Sequence, residues 1–508
     1  MAHWAFRRWR SGLSPGLPLE SLGGLRGACL GFVVKRCDKQ DTPIQRHIKG
    51  AMGITFVEKS TRKRPQAKTA LVLAGGAVSG GAFKVGGLIA LNSLLTNRSV
   101  TEFDIYVGIS AGAFLAAPLS AGVEPDELLR SIEGNSSQIQ RFSPLEFYRP
   151  NWREFVKKPL MLARDTLGFA PAVTLAVLRQ LGSNRPLLIN RVRAFLNEPS
   201  VRHAEQLIMP VIADINRQSE LRSGMSYLPS GLFDNSGIER FVRENLKRNG
   251  TPNHFRLLQL ERGSSLYIGA TNLNTARAAV FGPDEDCSLT ISEAVQASTA
   301  IPGFYRPARI NGQDYIDAAV RKTANISQAV KKGAELVIAY NPFRPFVNYY
   351  ADQLLNNERS ISDMGVMTVI NQAFRTLLHT RLMLGIEKLR LNPDFQGDVI
   401  LIEPSETDTK FFNLNPLAFW RRAEAAAHGF SSVKEAIDRH YPRIDSILQK
   451  YGIKSDLSRL RENIDEIRMA NYNNDAIMTV LERSVHGNRK EFEQSRPSLR
   501  VVGEDLGG

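Results

Sequence analysis

The sequence predicts an α/β fold in which helices pack on a largely parallel sheet, and three observations support this prediction. Two strand–loop–helix units follow one another directly between Lys68 and Gly122. Strand-like apolar runs then continue to alternate with helical patterns beyond residue 317. The chain has 508 residues, of which 43% are hydrophobic, so it can bury the core of one large domain plus a smaller addition.

The first unit carries a glycine-rich loop. An apolar run at 71–73 is typical of a strand, the loop spans 75–81, and apolar positions from Val85 to Leu94 recur at helical spacing. Loops that follow neighbouring parallel strands emerge at the same carboxyl edge of the sheet. We therefore expect the backbone amides of this loop to lie beside the loop of the second unit.

The second unit contains the motif Gly108-Ile109-Ser110-Ala111-Gly112, a G-x-S-x-G pattern. The apolar run 103–107 precedes it and the helical pattern 113–117 follows it, so the motif lies on a sharp turn from strand to helix. Such a turn holds a serine in a strained, exposed position, and the flanking glycines let other backbone segments come close. The pattern predicts that Ser110 is a nucleophile.

Between these units and residue 317 the sequence predicts further short elements. Thr290 and Glu293 have the spacing of a capping box, and Asn311-Gly312 has the residues of a hairpin turn. The other expected elements are a helix at 125–133, an apolar run at 167–178, a strand at 206–214, a helix at about 236–246 with Asp234 as cap, and a strand at 266–271.

After residue 317 the alternation continues and then becomes mostly helical. Residues 486–508 are polar, and we expect them to be disordered. The expected elements are a helix at 326–332, a strand at 335–340, a helical region at 361–391, a strand at 398–403, and helices at 417–441 and 443–484.

Positive charge is concentrated in a basic N-terminal extension, residues 1–65, which we expect to be disordered. Residues 1–68 carry 14 Lys and Arg against 4 Asp and Glu, so +10 of the net charge of +14 lies there and +4 remains for the other 440 residues. The body of the chain is therefore not basic enough to indicate a nucleic-acid partner. Two explanations of the extension stay open: a targeting or surface-binding arm, and translation that begins at Met52.

Composition also limits the compartment. Cys29, Cys37 and Cys287 provide no disulfide framework and no C-x-x-C metal pair, which fits a reducing compartment. No window holds eighteen uninterrupted apolar residues, so we expect no transmembrane segment and a cytoplasmic protein. The segment 152–181 contains the apolar run and the cations Lys157, Lys158 and Arg164, and we interpret it either as a helix that contacts a lipid surface peripherally or as a buried helix.

A serine nucleophile requires a base to accept its proton and an oxyanion hole to stabilise the charge on the carbonyl oxygen. The amides of Gly75, Gly76, Ala77 and Ala111 are the candidates for this oxyanion hole. The base must come from elsewhere in the chain. Asp317 and a downstream histidine are the two kinds of candidate.

Taken together, the stretch 71–91 that contains the glycine-rich loop, the elbow 107–112 and the run 297–317 that ends in Asp317 resemble the patatin-like phospholipases. The three motifs occur in the order found in that family. The resemblance implies a parallel-sheet sandwich with flanking helices and a Ser110–Asp317 dyad that hydrolyses lipid acyl esters without histidine, metal or cofactor. It implies a catalytic domain at 66–345, followed by a mostly helical extension at 346–485.

Three positions depart from the family pattern. Ala77 stands where the loop usually has a third glycine, although Gly80 is retained, and Ser79 stands where Arg or Lys is usual. The late motif reads Asp317-Ala318-Ala319, with alanine at its first glycine. A Cβ at residue 77 is tolerable if its φ is negative, whereas the missing cation removes positive charge near an anionic intermediate.

Two alternatives to the dyad enzyme stay open. An α/β-hydrolase triad would use His379, His428 or His440, all of which follow Ser110 as that family's order requires. A catalytically weak or inactive relative would bind acyl chains or act as a scaffold. The substrate ester and the oligomeric state are left open.

Overall fold

The structure of this protein is a computed structural model. A nine-stranded sheet forms the centre of the part of the chain that it describes. The residues that it describes are 53–133, 136–141, 143–161, 185–197, 228–348, 360–417 and 419–458. The strands of the large sheet are β1 (Ile54–Glu58), β2 (Thr69–Leu73), β3 (Ile105–Ile109), β6 (Ser265–Asn272), β7 (Ala278–Phe281), β9 (Ala308–Ile310), β10 (Gln313–Ile316), β11 (Leu336–Tyr340) and β12 (Asp398–Ile402), and those of a second, small sheet are β4 (Arg149–Pro150), β5 (Gly231–Asp234) and β8 (Gly303–Tyr305).

The large sheet has the order β1-β12-β11-β2-β3-β6-β10-β9, with β7 also paired to β6. Strands β12, β11, β2, β3 and β6 run parallel, and the edge strands pair antiparallel. Every residue of β2, β3, β11 and β12 is buried, as expected for parallel strands that are covered on both faces. The prediction that the two glycine-bearing units are parallel neighbours is therefore confirmed.

Helices cover both faces of this sheet and form two large hydrophobic clusters with it. Three shorter 3₁₀ turns occur at Ala318–Val320, Ile361–Met364 and Phe419–Arg421. The helices are α1 (Ala77–Leu94), α2 (Ala111–Ser120), α3 (Pro125–Glu133), α4 (Pro144–Phe147), α5 (152–161), α6 (Arg185–Asn197), α7 (Ser236–Arg248), α8 (Phe255–Arg262), α9 (Ile291–Thr299), α10 (Ile326–Lys331), α11 (Val366–Leu391), α12 (Thr409–Asn413) and α13 (Arg422–Lys450).

Helix α1 packs against the C-terminal helix α13 at unusually short range because a glycine on each helix faces the other backbone. A Cβ on Gly86 would lie 1.8 Å from the Ala426 carbonyl oxygen, and one on Gly429 would lie 1.9 Å from the Phe83 carbonyl oxygen. Among the described residues α1 alone has the length and hydropathy of a membrane span, but 83% of it is buried inside the protein. It is therefore a core helix.

Two local predictions are confirmed, and a third is corrected. The capping box of Thr290 and Glu293 begins α9, which continues to Thr299. Asn311 and Gly312 have φ values of 49° and 76° and join β9 to β10 as a hairpin. The expected cap of α7 is wrong, because Asn235 is its N-cap; the Asp234 carboxylate, one residue earlier, accepts a hydrogen bond of 2.9 Å from the Ser236 N–H.

The expected helix boundary at residues 441–443 is wrong, because α13 continues through Pro442. Proline removes one helical hydrogen bond and crowds the preceding turn. Buried Ile437 and Ile444 flank it on the packed face, so tertiary packing compensates for this local cost.

Several expected features fall outside the described residues: the N-terminal extension, the strand at 206–214, the apolar run at 167–178, the helical pattern beyond residue 458, and the polar tail. The proposed division at residue 345 stays a prediction. Strand β12 and helix α13 lie beyond that residue, and they pack into the same sheet and core as the strands that precede it.

Candidate active site

Ser110 lies on the sharp turn that its motif predicts. Strand β3 ends at Ile109 and helix α2 begins at Ala111, so Ser110 joins them with φ 54° and ψ −127°, a combination that is costly for a residue with a Cβ. Its N–H donates a hydrogen bond of 2.8 Å to the Ser298 hydroxyl on α9. Its carbonyl accepts a 2.8 Å hydrogen bond from the Ala113 N–H in the first turn of α2. These contacts hold the strained conformation.

The two motif glycines provide the room for this turn. A Cβ on Gly108 would lie 2.5 Å from the Cα of Ala113, and one on Gly112 would lie 2.0 Å from the carbonyl oxygen of Leu73. Real Cβ atoms do not approach backbone this closely. The elbow therefore contacts both its own helix and the end of β2, which carries the glycine-rich loop.

The glycine-rich loop lies directly against the elbow. A Cβ on Gly75 would be 3.4 Å from the Ser110 Cβ, and one on Gly81 would be 3.5 Å from the Ala111 Cβ. The Gly80 N–H closes the loop with a 2.9 Å hydrogen bond to the Gly76 carbonyl. The loop is thus close enough for its amides to face a group bound at Ser110.

Backbone amides at the start of the two helices differ in their partners. The N–H groups of Val78 and Ser79 both donate to the Pro416 carbonyl at 3.1 Å. Within the described part of the chain, no acceptor is recorded for the four amides predicted to form the oxyanion hole. These four amides belong to Gly75, Gly76, Ala77 and Ala111.

Ala77 is a strained position, because it does not meet the condition of a negative φ under which its Cβ would be tolerable. Its φ is 52°, in the left-handed region that glycine adopts without penalty and that costs other residues roughly 1 kcal/mol or more. The backbone at the loop-to-helix junction therefore has a conformation that glycine adopts without strain, although the residue is alanine.

Asp317 and Ser110 are brought together. The Ser110 side chain lies close enough to the Asp317 carboxylate to lower its pKa by a side-chain interaction, and the two residues are only 3% and 4% exposed. The Ala319 N–H donates a hydrogen bond of 2.8 Å to Oδ1 of the same carboxylate, which caps the 3₁₀ turn. The Asp317 N–H donates to the Ala300 carbonyl at 2.8 Å, so the backbone of the residue is also fixed.

Burial raises the pKa of Asp317 from 3.8 to about 6. Desolvation is the main cause, and it is partly offset by the side-chain interaction with Ser110, by the hydrogen bond from Ala319 and by the charge of Lys84. A carboxylate with a pKa near 6 is ionised at neutral pH and is also a stronger base than an exposed aspartate. This is the protonation behaviour that a general base needs.

Lys84 is a fully buried cation that sequence reasoning missed. Its ammonium group donates hydrogen bonds to the carbonyls of Ala74 and Gly75, the second at 2.9 Å, immediately before the amides of the loop. Desolvation lowers the pKa of Lys84 to about 7, and the charge of Asp317 opposes this shift. Lys84 thus places positive charge near the dyad from a position other than residue 79.

The alanines of the late motif cause no backbone strain, since neither Ala318 nor Ala319 has a positive φ. The downstream histidines have other partners. His428 contacts the Asp408 carboxylate at 2.8 Å, and His379 lies 3.3 Å from Glu403. His440 packs edge-on against Phe56.

An apolar cavity of ≈ 80 Å³ opens beside Ser110. None of the three histidines lines it. No cluster of three or more His, Cys, Asp or Glu side chains that could hold a metal is found in the described ranges. The cavity is lined by elbow and loop residues, by aromatic side chains and by residues near the start of α13, among them Ala77, Ala111, Phe114, Phe147, Phe304, Leu417 and Arg422.

The fold is an α/β scaffold that presents a serine on a strand-to-helix elbow beside a glycine-rich loop, and the sequence comparison identifies the family. Residues 71–330 match the family described as patatin-like phospholipase. This match covers just over half of the chain, so the protein belongs to the patatin-like phospholipase family. The α/β-hydrolase alternative is thereby removed as a fold.

Individual relatives are distant. The curated protein YjjU of Escherichia coli (strain K12), described as uncharacterized, is 26% identical over 113 residues, which are 22% of this chain and 30% of YjjU. The crystal structure of VipD from Legionella pneumophila has a TM-score of 0.33 at 15% identity and covers 92% of this chain and 85% of VipD. The ExoU–SpcU complex from Pseudomonas aeruginosa gives a TM-score of 0.24 at 16% identity, over 85% of this chain and 68% of the matched chain.

Proposed function

We propose that this protein is a serine acyl hydrolase that cleaves lipid carboxyl esters through Ser110 and Asp317. The observation that carries the proposal is the proximity of two buried side chains, the Asp317 carboxylate and the Ser110 hydroxyl that interacts with it, with Ser110 at the wall of an apolar cavity. Family membership supports a lipid as the substrate class. The reaction is assigned to these two side chains and needs no third catalytic residue.

In the proposed first step, Ser110 Oγ attacks the ester carbonyl carbon while its proton passes to the Asp317 carboxylate. The negative charge on the former carbonyl oxygen is received by the amides of the loop and of Ala111. The carbon–oxygen bond to the alcohol then breaks, and Asp317 returns the proton to the leaving alkoxide. Water attacks the acyl-enzyme, gives its proton to Asp317, and the fatty acid leaves as Ser110 regains a proton.

Electrostatics support this assignment. Lys84 donates hydrogen bonds to the carbonyls of Ala74 and Gly75. In a trans peptide the N–H groups of the following residues point the opposite way, toward the expected position of the oxyanion. The charge of Lys84 also stabilises the carboxylate form of Asp317, which must be unprotonated to act as base. Residue 84 therefore supplies the positive charge that the sequence lacks at residue 79 when Lys84 is protonated, which its pKa of about 7 places at and below neutral pH.

Covalent labelling tests the nucleophile. A fluorophosphonate probe should label the purified full chain at Ser110, labelling should be lost in Ser110→Ala, and Asp317→Asn should slow it by at least 10²-fold, as expected for loss of general-base catalysis. His428→Ala is the matched control and should retain labelling and esterase activity. A folded wild-type protein that neither reacts nor cleaves any ester in a mixed lipid panel would favour the binding or scaffold alternative.

We also propose that the protein contacts a lipid surface peripherally through the segment 152–181, which would place a cytoplasmic enzyme at a membrane. Within the described part of that segment, Trp152, Val156 and Leu160 are 68%, 66% and 70% exposed at four-residue spacing, so they share one face of α5. Lys157 follows Val156 at the edge of that face, whereas Lys158 lies on the opposite side of the helix. Such a face is suited to insertion at an interface whose headgroups are anionic.

Vesicle sedimentation tests this contact. Reversing the charges of Lys157, Lys158 and Arg164 to glutamate should weaken binding to vesicles that contain anionic phosphatidylserine, and binding should also weaken as salt is raised. Reversal of Lys63, an exposed cation outside the segment, is the control. Equal binding by all variants would exclude the segment as the contact.

A further inference from the structure

A second cavity lies behind the one that contains Ser110. The first has a volume of ≈ 80 Å³ and the second ≈ 30 Å³. Phe114, Leu128 and Ser131 line both, so these three side chains form the partition between them. Phe114 is the largest of the three, and it lies one helical turn beyond the nucleophile on the same face of α2.

The ring of Phe114 is held by an aromatic side chain from each cavity. It stacks on Phe241, which lines the second cavity, with ring centres 5.6 Å apart and an angle of 21°. It meets Phe147, which lines the first cavity, edge-on at 5.9 Å. The Phe114 N–H also donates to the Ser110 carbonyl at 3.1 Å, which fixes the start of the side chain relative to the reacting residue.

The second cavity is suited to hydrocarbon. Most of its lining is apolar, and the polar side chains at its wall are engaged by the protein itself. Asn245 accepts a 2.7 Å hydrogen bond from the Gln140 N–H and donates one of 2.7 Å to the Phe241 carbonyl, and the Asn249 amide donates to the Gln138 carbonyl at 3.1 Å. These groups do not need water or a polar ligand in the cavity.

We propose that Phe114 limits the length of the acyl chain that the protein accepts, by closing the cavity at Ser110 against the second cavity. This inference rests on the proposed acyl hydrolase function and adds a specificity-determining residue to it. An acyl chain whose carbonyl lies at Ser110 extends through the first cavity and meets the Phe114 ring. Removing the ring joins the two cavities and adds its own volume to them.

The size of the effect follows from apolar burial. Each additional methylene group that is removed from water is worth about fourfold in affinity. If the joined cavity buries two or more further methylene groups, Phe114→Ala should raise the ratio of long-chain to short-chain kcat/KM by roughly 15-fold. Phe114→Trp should lower the same ratio, because a larger ring shortens the available space.

The test compares p-nitrophenyl butyrate with p-nitrophenyl palmitate on the full chain of wild type, Phe114→Ala, Phe114→Leu and Phe114→Trp. A second readout needs no turnover: calorimetric affinities of hexanoic and palmitic acid for the same variants in a Ser110→Ala background. Phe346→Ala is the matched control, because Phe346 is also stacked on another phenylalanine, Phe412, and lines neither cavity.

A rise of the long-to-short ratio in Phe114→Ala with an unchanged ratio in Phe346→Ala supports the inference. If circular dichroism shows that Phe114→Ala does not fold, the other two variants decide: a higher long-to-short ratio in Phe114→Leu and a lower one in Phe114→Trp support the inference. Identical ratios in wild type and the folded Phe114 variants, in both readouts, overturn it. If wild type cleaves no ester but the Phe114 variants still change the relative affinity for palmitic and hexanoic acid, the proposed hydrolase function is wrong and the role of Phe114 in chain-length selection is supported.

Discussion

Replacing Lys84 with methionine removes a charge from the interior of the site while keeping a side chain of similar length. Lys84 is fully buried, and its recorded hydrogen bonds are to the carbonyls of Ala74 and Gly75. Burial lowers its pKa from 10.5 to about 7. Between pH 7 and pH 10.5 Lys84 is therefore mostly deprotonated in the native state but still protonated in the unfolded chain.

This difference in pKa makes stability depend on pH. Between pH 7 and 10.5 the unfolded state binds more protons at Lys84 than the native state, so the free energy of unfolding rises as pH increases. From these two pKa values, Lys84 should contribute an increase of about 2 kcal/mol between pH 7 and pH 9. The Lys84→Met variant lacks this contribution, so its stability should rise less over the same interval.

Urea denaturation at pH 7 and pH 9 measures the effect as a difference between proteins, in which other titrating groups largely cancel. Lys63→Met, which removes an exposed lysine, is the control and should follow wild type at both pH values. The reasoning is refuted if the stability difference between wild type and Lys84→Met is the same at pH 7 and pH 9. That result would mean that Lys84 is solvated or otherwise compensated in the native state.

Three further predictions concern the dyad and the two loops. The acid limb of kcat/KM should fall near pH 6, because protonation of Asp317 removes the proposed base, and a limb near pH 4 in a pH–rate profile would contradict this. Ala77→Gly should raise the free energy of unfolding by up to about 1 kcal/mol, since it relieves the positive φ, and a lower urea midpoint would oppose it. Gly112→Ala should cost roughly 3 kcal/mol or prevent folding, because its Cβ would lie 2.0 Å from the Leu73 carbonyl oxygen; a wild-type melting temperature would count against the close contact.

The parallel centre of the fold could be predicted because its signals are local. Strands β2 and β3 are short buried runs, and each is followed by glycines that only a tight strand-to-helix turn requires. The pairing of Ser110 with Asp317 was accessible only through the family resemblance, since the two residues are far apart in the chain. Neither composition nor periodicity could have brought them together.

Lys84 could not be assigned from the sequence because its role depends on what lies around it. A single lysine within the apolar run 82–91 is the available signal, and a lysine in a helix ordinarily extends to solvent. Here α1 is covered by both the sheet and α13, so the side chain has only the loop carbonyls to bond. The positive φ of Ala77 was missed for a related reason, because the backbone at the junction is set by neighbouring segments and not by the residue itself.

The C-terminal part of the chain completes a site whose motifs all precede residue 330. The Pro416 carbonyl accepts hydrogen bonds from the N–H groups of Val78 and Ser79. Among the described residues, the N–H groups of residues 75–77 have no such acceptor and stay available to a bound group. Leu417 and Arg422 line the cavity at Ser110. The glycine contacts between α1 and α13 bring this part of the chain close enough to do so. The family match therefore contains the proposed catalytic residues, whereas the selection of loop amides and one wall of the cavity come from residues outside it.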